Sequence, residues 1–179
     1  MFFKRKNIQV HNIYQNIVEI SRSKFFYLNL KLQDNFETRF DLIIFHAFII
    51  FFYYKNLNQG KSNISQELFD FMFSDFENNL REMGFGDIAV NKKMKVFIAA
   101  FYGRLTQYSK GLDIYKNNGD KSLLKQAILN NIYKGDEELN HHVEFFIEYM
   151  EVNINYFIRN EESKNLENNF YFTVIKYDA

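Results

Sequence analysis

The sequence predicts an all-α protein: a single-domain helical bundle of about six to seven helices around one central apolar helix, followed by an extended C-terminal tail. Three observations carry this reading. Apolar residues recur every three or four positions in run after run, the spacing that gathers side chains on one face of a helix. Proline is absent from all 179 residues, which suits long helices joined by few rigid turns. One block, Leu42 to Tyr54, is apolar on every side apart from His46, as a helix surrounded by others must be.

The first helix is expected from about Val10 to Ser21, where Val10, Ile13, Tyr14, Ile17 and Val18 share a face. Ahead of it, Phe2, Phe3, Lys4, Arg5 and Lys6 form a short cluster suited to an anionic membrane surface, although a frayed terminus is the commoner meaning of so few charges. No apolar block follows those charges, so the start does not read as a secretory signal and a cytoplasmic protein is expected. Phe25 to Leu32 fits neither helix nor strand cleanly. The block from Leu42 to Tyr54 would reach about 20 Å as a helix, short of the roughly 30 Å hydrocarbon core of a bilayer. Flanked by Arg39, Asp41 and Lys55, it reads as the axis of the bundle, and Phe48→Ala should cost about 3 kcal/mol or more.

Asn58, Gln59 and Gly60 mark a loop before the most informative stretch, Leu68 to Arg104. There Leu68, Phe69, Met72, Phe73, Phe76, Leu80 and Met83 form a face to be buried, opposite a polar line of Asp70, Ser74, Glu77 and Arg81. Gly84 can take the left-handed conformation that stops a helix, with Phe85 reaching back to Leu80, and Gly86 is read as part of the same stop. Asp87 or Asn91 can cap a second helix, whose buried face would be Met94, Phe97, Ile98, Phe101, Tyr102, Leu105 and Tyr108. Lys92, Lys93 and Lys95 then fall in a first turn where the helix dipole disfavours them. They either pair with Asp70, Asp75 or Glu82, stay solvated, or dock an acidic partner.

Asn117 to Asp120 marks another loop before a helix from about Lys121 to Tyr133, which Gly135 ends. A last helix, about Glu137 to Arg159, carries two apolar stripes: Leu139, Val143, Phe146, Ile147, Met150, Ile154 and Phe157, and beside them Phe145, Tyr149, Val152 and Tyr156. Both stripes suit the core, while an uncovered one would suit a client helix. Asn160 to Asn169 is linker-like, and Phe170 to Tyr177 is either extended or draped over the helices. The expected organisation is thus an N-terminal segment at 1–24, a helical domain at 25–159 and a linker with tail at 160–179.

Composition excludes several functions. Twenty-two basic residues balance 22 acidic ones, so there is no overall field to hold a polyanion and a general nucleic-acid binder is disfavoured. Without cysteine there is no disulfide, thiolate metal site or cysteine nucleophile. Glu138 and His141, with His142, Glu144 and Glu148 nearby, have the spacing found in helical di-iron bundles, but His11 and His46 lack the second Glu-x-x-His that such a centre needs. His46 reads as a core histidine satisfied by a carbonyl. No catalytic residues, metal or cofactor are expected.

The run Leu68, Phe69, Asp70, Met72, Phe73, Asp75, Leu80, Arg81, Glu82, Met83, Gly84, Gly86 and Asp87, followed by Lys92 and then Phe101, Tyr102, Gly103 and Arg104, closely resembles the bacterial branch of the ubiquinol-cytochrome c chaperone family. Upstream Phe26, Tyr27, Asp34, Phe36, Glu37, Arg39, Phe40 and His46 resemble it too, as do Leu123, Ala127, Leu129, Asn131 and Tyr133 downstream. The chain departs from the family pattern at Gln33, Thr38, Asn91 and Asn130, where proline, glycine, glycine and arginine are usual. The resemblance implies a non-enzymatic assembly factor that binds newly made cytochrome b during biogenesis of the ubiquinol-cytochrome c oxidoreductase, complex III. It implies a place on the cytoplasmic face of the inner membrane; the mitochondrial relatives work with a small partner subunit near the ribosome exit region, and the resemblance leaves both contacts open for a bacterial-type member. On this reading the partner-binding residues are Asp34, Arg39, Asp70, Arg81, Glu82, Asp87, Lys92, Tyr102 and Arg104, with Gly84, Gly86 and His46 structural. The alternative from another class is a peripheral membrane protein that holds a quinone or lipid in a deep pocket between aromatic helices.

Overall fold

The computed structural model describes residues 2–57, 63–162 and 171–173, with side chains described over 8–55, 63–159 and 171–173. Among these residues the chain forms α1 (Phe2–Ser21), α2 (Lys24–Leu28), α3 (Phe36–Leu57), α4 (Ile64–Glu82), α5 (Asp87–Asn118), α6 (Ser122–Ile132) and α7 (Val143–Glu162), with a 3-10 segment, Glu137–His142, leading into α7 and no strand. The side chains of Phe2–Lys6, the loop at Asn58–Gly60, the linker beyond Glu162 and the tail apart from 171–173 lie outside the described residues. No described helix is long and apolar enough to cross a membrane.

Helix α3 is the axis, touched by α1, α4, α5, α6 and α7. Its apolar residues have no polar face to turn to water, so burial on every side is the stable solution, and Leu42, Ile44, Phe45, Ala47, Ile49 and Ile50 are all fully enclosed. The Phe45 ring meets Phe146 of α7 at 5.2 Å and Tyr108 of α5 at 5.9 Å, both edge-on. His46 is satisfied as a core residue: Nδ1–H donates to the Leu42 carbonyl at 2.7 Å, leaving Nε2 to accept from the Tyr149 hydroxyl at 3.1 Å. Burial pushes its pKa down to about 4, so the imidazole is neutral in the fold.

The ambiguous stretch Phe25 to Leu32 resolves into a single short helix and an irregular run. Ser23 caps α2, its Oγ accepting from the Phe25 N–H at 3.4 Å, and Phe26 is buried against Phe146 and Tyr149. Asn35 then starts α3, accepting the Thr38 N–H at 2.9 Å. On the other side of the axis α1 lies along α4, and the buried Tyr14 hydroxyl donates to Asp75 at 2.7 Å.

The α4 stop forms as the glycine predicts. Gly84 sits at φ 87°, Phe85 N–H donates to the Leu80 carbonyl at 3.2 Å and Gly84 N–H to the Arg81 carbonyl at 2.9 Å, the two bonds of a Schellman motif. Two expectations change here. Met83, assigned to the buried face, is 60% exposed, because the stop turns the chain before that position reaches the core. Gly86 is not part of the stop but the N-cap of α5, at φ −73°, a value open to any residue.

Starting at Asp87, α5 begins earlier than a cap at Asn91 would allow, and Asp87 is its first helical residue rather than a side-chain cap. An acid therefore occupies the favourable first turn and the three lysines follow in the next. At its far end α5 crosses α6 so closely that a Cβ on Gly111 would lie 2.8 Å from the Leu124 Cα.

The last helix also differs from expectation, since its first turn, Glu137–His142, is 3-10 and only Val143 onward is α-helical. Both stripes of α7 turn inward, with Phe145 and Tyr149 buried beside Phe146, Ile147 and Met150. Residues 171–173 drape over α7, where Phe172 packs on Phe157 at 5.5 Å.

Candidate functional site

Ile88, Lys92, Lys95, Ala99, Tyr102, Thr106, Lys110, Asp113 and Asn117 follow one another at three- and four-residue spacing along α5, and every one is exposed. Of the 32 residues of this helix only Val90, Phe101, Tyr108, Gly111 and Leu112 are buried. The open side of the helix is not uniformly polar: Ile88 and Tyr102 on the stripe are 76% and 54% exposed, and Val96 beside it 64%. Gly103 beside it has nothing within 4 Å of where a Cβ would stand. At about 1.5 Å per residue the face is about 45 Å long.

Its C-terminal half borders a groove between α3 and α5 of about 560 Å³, floored by Phe48, Phe51 and Phe52 from α3 with Leu105 and Ile114 from α5. Lys55, Lys110 and Asp113 stand on its rim, and the Lys116 ammonium lies 4.6 Å from the Phe52 ring. This groove is open to solvent, not the enclosed pocket that the quinone or lipid alternative requires.

The structure divides the sequence-derived partner residues into separate groups, and no ion pair links one group to another among the described residues. Arg81 bridges α4 to α5, pairing with Glu77 at 2.7 Å and with Asp87 across the turn, which raises its own pKa through those two carboxylates. Asp70 accepts from Gln66 at 2.7 Å, and Glu82 is exposed at the end of α4. Asp34, just ahead of α3, and Arg39 in its first turn hold each other bidentately at 2.7 and 3.0 Å, and the guanidinium lowers the Asp34 pKa. Lys92 and Tyr102 lie on the open stripe, whereas Lys93 turns aside to sit 4.7 Å from the Phe85 ring.

Arg104 faces inward. It is 2.6 Å from Asp41, whose carboxylate is 1% exposed and also pairs with Lys134, so one buried acid ties α3, α5 and the end of α6 together. Burial pushes the Asp41 carboxyl up against the opposing pull of the two cations. In the sequence Asp41 reads only as a flank of the apolar block. The missed signal is that Asp41, Phe45, Phe48 and Phe52 share a stripe, and an acid on a buried stripe needs a cation. The Glu138 and His141 pair forms no ligand set: His141 Nδ1 lies 3.0 Å from the Glu138 backbone carbonyl, and no group of three such side chains fit to hold a metal occurs among the described residues.

Comparison with known proteins places this geometry. The sequence profile of the ubiquinol-cytochrome C chaperones matches residues 28–170. The chain belongs to the ubiquinol-cytochrome C chaperone family. It is also similar to a solved structure, the crystal structure of the Cbp3 homolog from Brucella abortus, at 26% identity and a TM-score of 0.79, over 96% of this chain and 92% of that one. No curated protein matches it. The profile of this chaperone family starts in α2, while the structural likeness takes in α1 as well.

Proposed function

We propose that this member of the ubiquinol-cytochrome C chaperone family is a non-enzymatic complex III assembly factor that binds newly made cytochrome b, and that the client lies along the open face of α5. The observation that carries this reading is the mismatch in α5 between length and burial: it is the longest helix of the fold, yet only five of its residues are buried. The other positions of this helix are half-buried or exposed, and its exposed Ile88, Val96 and Tyr102 are available to a partner.

On this reading the roles divide along the molecule. The apolar floor of the α3–α5 groove covers hydrophobic client surface, and Gly103 lets a client backbone approach α5 closely. Lys92, Lys95 and Lys110 steer acidic or carbonyl-rich client segments, while Arg81, Glu82 and Asp87 at the hairpin turn position the client end or a small partner subunit. Arg104 acts through Asp41 by fixing α5 against α3. The same reading puts the protein on the cytoplasmic face of the inner membrane, near the ribosome exit region.

The test is deletion of the protein, with pull-down of cytochrome b by the tagged chain and a spectral assay for assembled complex III. Loss of the complex with cytochrome b captured is the expected result. Normal complex III and no association would overturn the proposal.

A further inference from the structure

The strip 171–173 is held to α7 by a bond pattern found nowhere else among the described residues. Asn153, fully buried in α7, accepts the Thr173 N–H on Oδ1 at 2.7 Å and donates from Nδ2 to the Thr173 carbonyl at 3.2 Å. The same Nδ2 donates to the Tyr149 carbonyl at 2.8 Å. One side-chain amide thus satisfies both backbone groups of one residue, as a neighbouring strand would, and reads an extended chain without reading its side chains. Next to it the Phe172 ring lies edge-on to His46 at 4.9 Å and to Phe157 at 5.5 Å, and stacks on Tyr149 at 6.5 Å. Among the described residues Oδ1 receives no other hydrogen bond, so a buried acceptor at this position is satisfied by a backbone N–H from outside the helix.

We propose that this face of α7 is a binding site for extended peptide segments in which an aromatic residue is followed by a residue with a free backbone N–H, and that the chain's own residues 171–173 occupy it in cis. Asn153 is the backbone reader, and the ground between His46, Tyr149 and Phe157 takes the aromatic ring. Residues 163–170 join the strap to α7, so the strap competes at the high effective concentration of an intramolecular ligand. A segment in trans binds well only when the strap is released. This inference does not use the α5 face and stands or falls apart from it.

The probe is a fluorescent peptide with the sequence of residues 169–176, measured by anisotropy against the full chain and against a full chain carrying Phe172→Ala and Thr173→Pro, which remove the ring and the N–H from the strap without touching the helices. The peptide should bind the released chain roughly tenfold or more tightly than the unaltered one. A peptide carrying Thr173→Pro should lose roughly tenfold in affinity for the released chain. Equal affinities in either comparison, or no binding to the released chain, would overturn the proposal. Hydrogen exchange on the unaltered protein adds a reading that no variant can spoil. There the Thr173 amide should exchange more slowly than that of the exposed Tyr171, and an unprotected Thr173 amide would equally reject the site.

Discussion

Helices α3 and α5 lie against each other, yet they are opposites. Nearly every residue of α3 from Phe40 to Tyr54 is buried, whereas α5, ten residues longer by its range of 32 against 22, buries five. The first is apolar on all sides and stable only when surrounded. The second buries a seam, half-buries the positions beside it and leaves one face to water. Under the proposed reading α3 carries stability and the open face of α5 carries the client, so substitutions on α3 should unfold the bundle while those on the exposed positions of α5 should spare it.

The largest effect should come from α3. Phe45→Ala removes a ring that is fully enclosed and should cost about 4 kcal/mol in urea unfolding, while Ile88→Ala on α5 should stay within about 0.5 kcal/mol. Comparable losses at the two sites would end the distinction.

The next effect is pH-dependent and also belongs to α3. The folded pKa of His46 is lowered to about 4, below the roughly 6.5 of an unfolded histidine, so between those values the unfolded chain binds the extra proton. Stability is therefore fully present above about pH 6.5 and falls by about 3 kcal/mol as the pH drops towards 4. His46→Gln should flatten that part of the profile, measured by urea midpoints across the range.

At the junction of the two helices, Asp41→Ala leaves Arg104 partly buried without its carboxylate and should cost about 3 kcal/mol by thermal or urea unfolding. Within α5 itself two glycines sharpen the contrast. Gly111→Ala would press a methyl to 2.8 Å from the Leu124 backbone and should destabilise by about 2 kcal/mol. Gly103→Ala meets nothing and should raise stability by up to about 1 kcal/mol through helix propensity, while weakening capture of cytochrome b in a pull-down.

Much of this was readable in the residues. The all-round apolarity of Leu42–Tyr54 announced the axis, and Gly84 after Met83 announced the stop with its bonding pattern. What the sequence hid depends on contacts between distant segments. Periodicity cannot say that α5 would be left half-uncovered, because Met94, Phe97, Ile98 and Leu105 look like core yet are only partly buried. Nor does it show that Arg104 would turn inward to Asp41, since the partners are far apart in the chain. The approach of α6 gives Gly111 its meaning, and Asn153 looks like a flaw in an apolar stripe until Thr173 is placed beside it.

The central claim, that cytochrome b lies along the open face of α5, is tested most directly by photo-crosslinking in growing cells, with a photo-reactive residue placed at Lys92, at Thr106 or at the exposed Gln15 of α1. Adducts with cytochrome b from Lys92 and Thr106 and none from Gln15 are predicted. Adducts from Gln15 with none from the α5 positions, in cells that still assemble complex III, would contradict it.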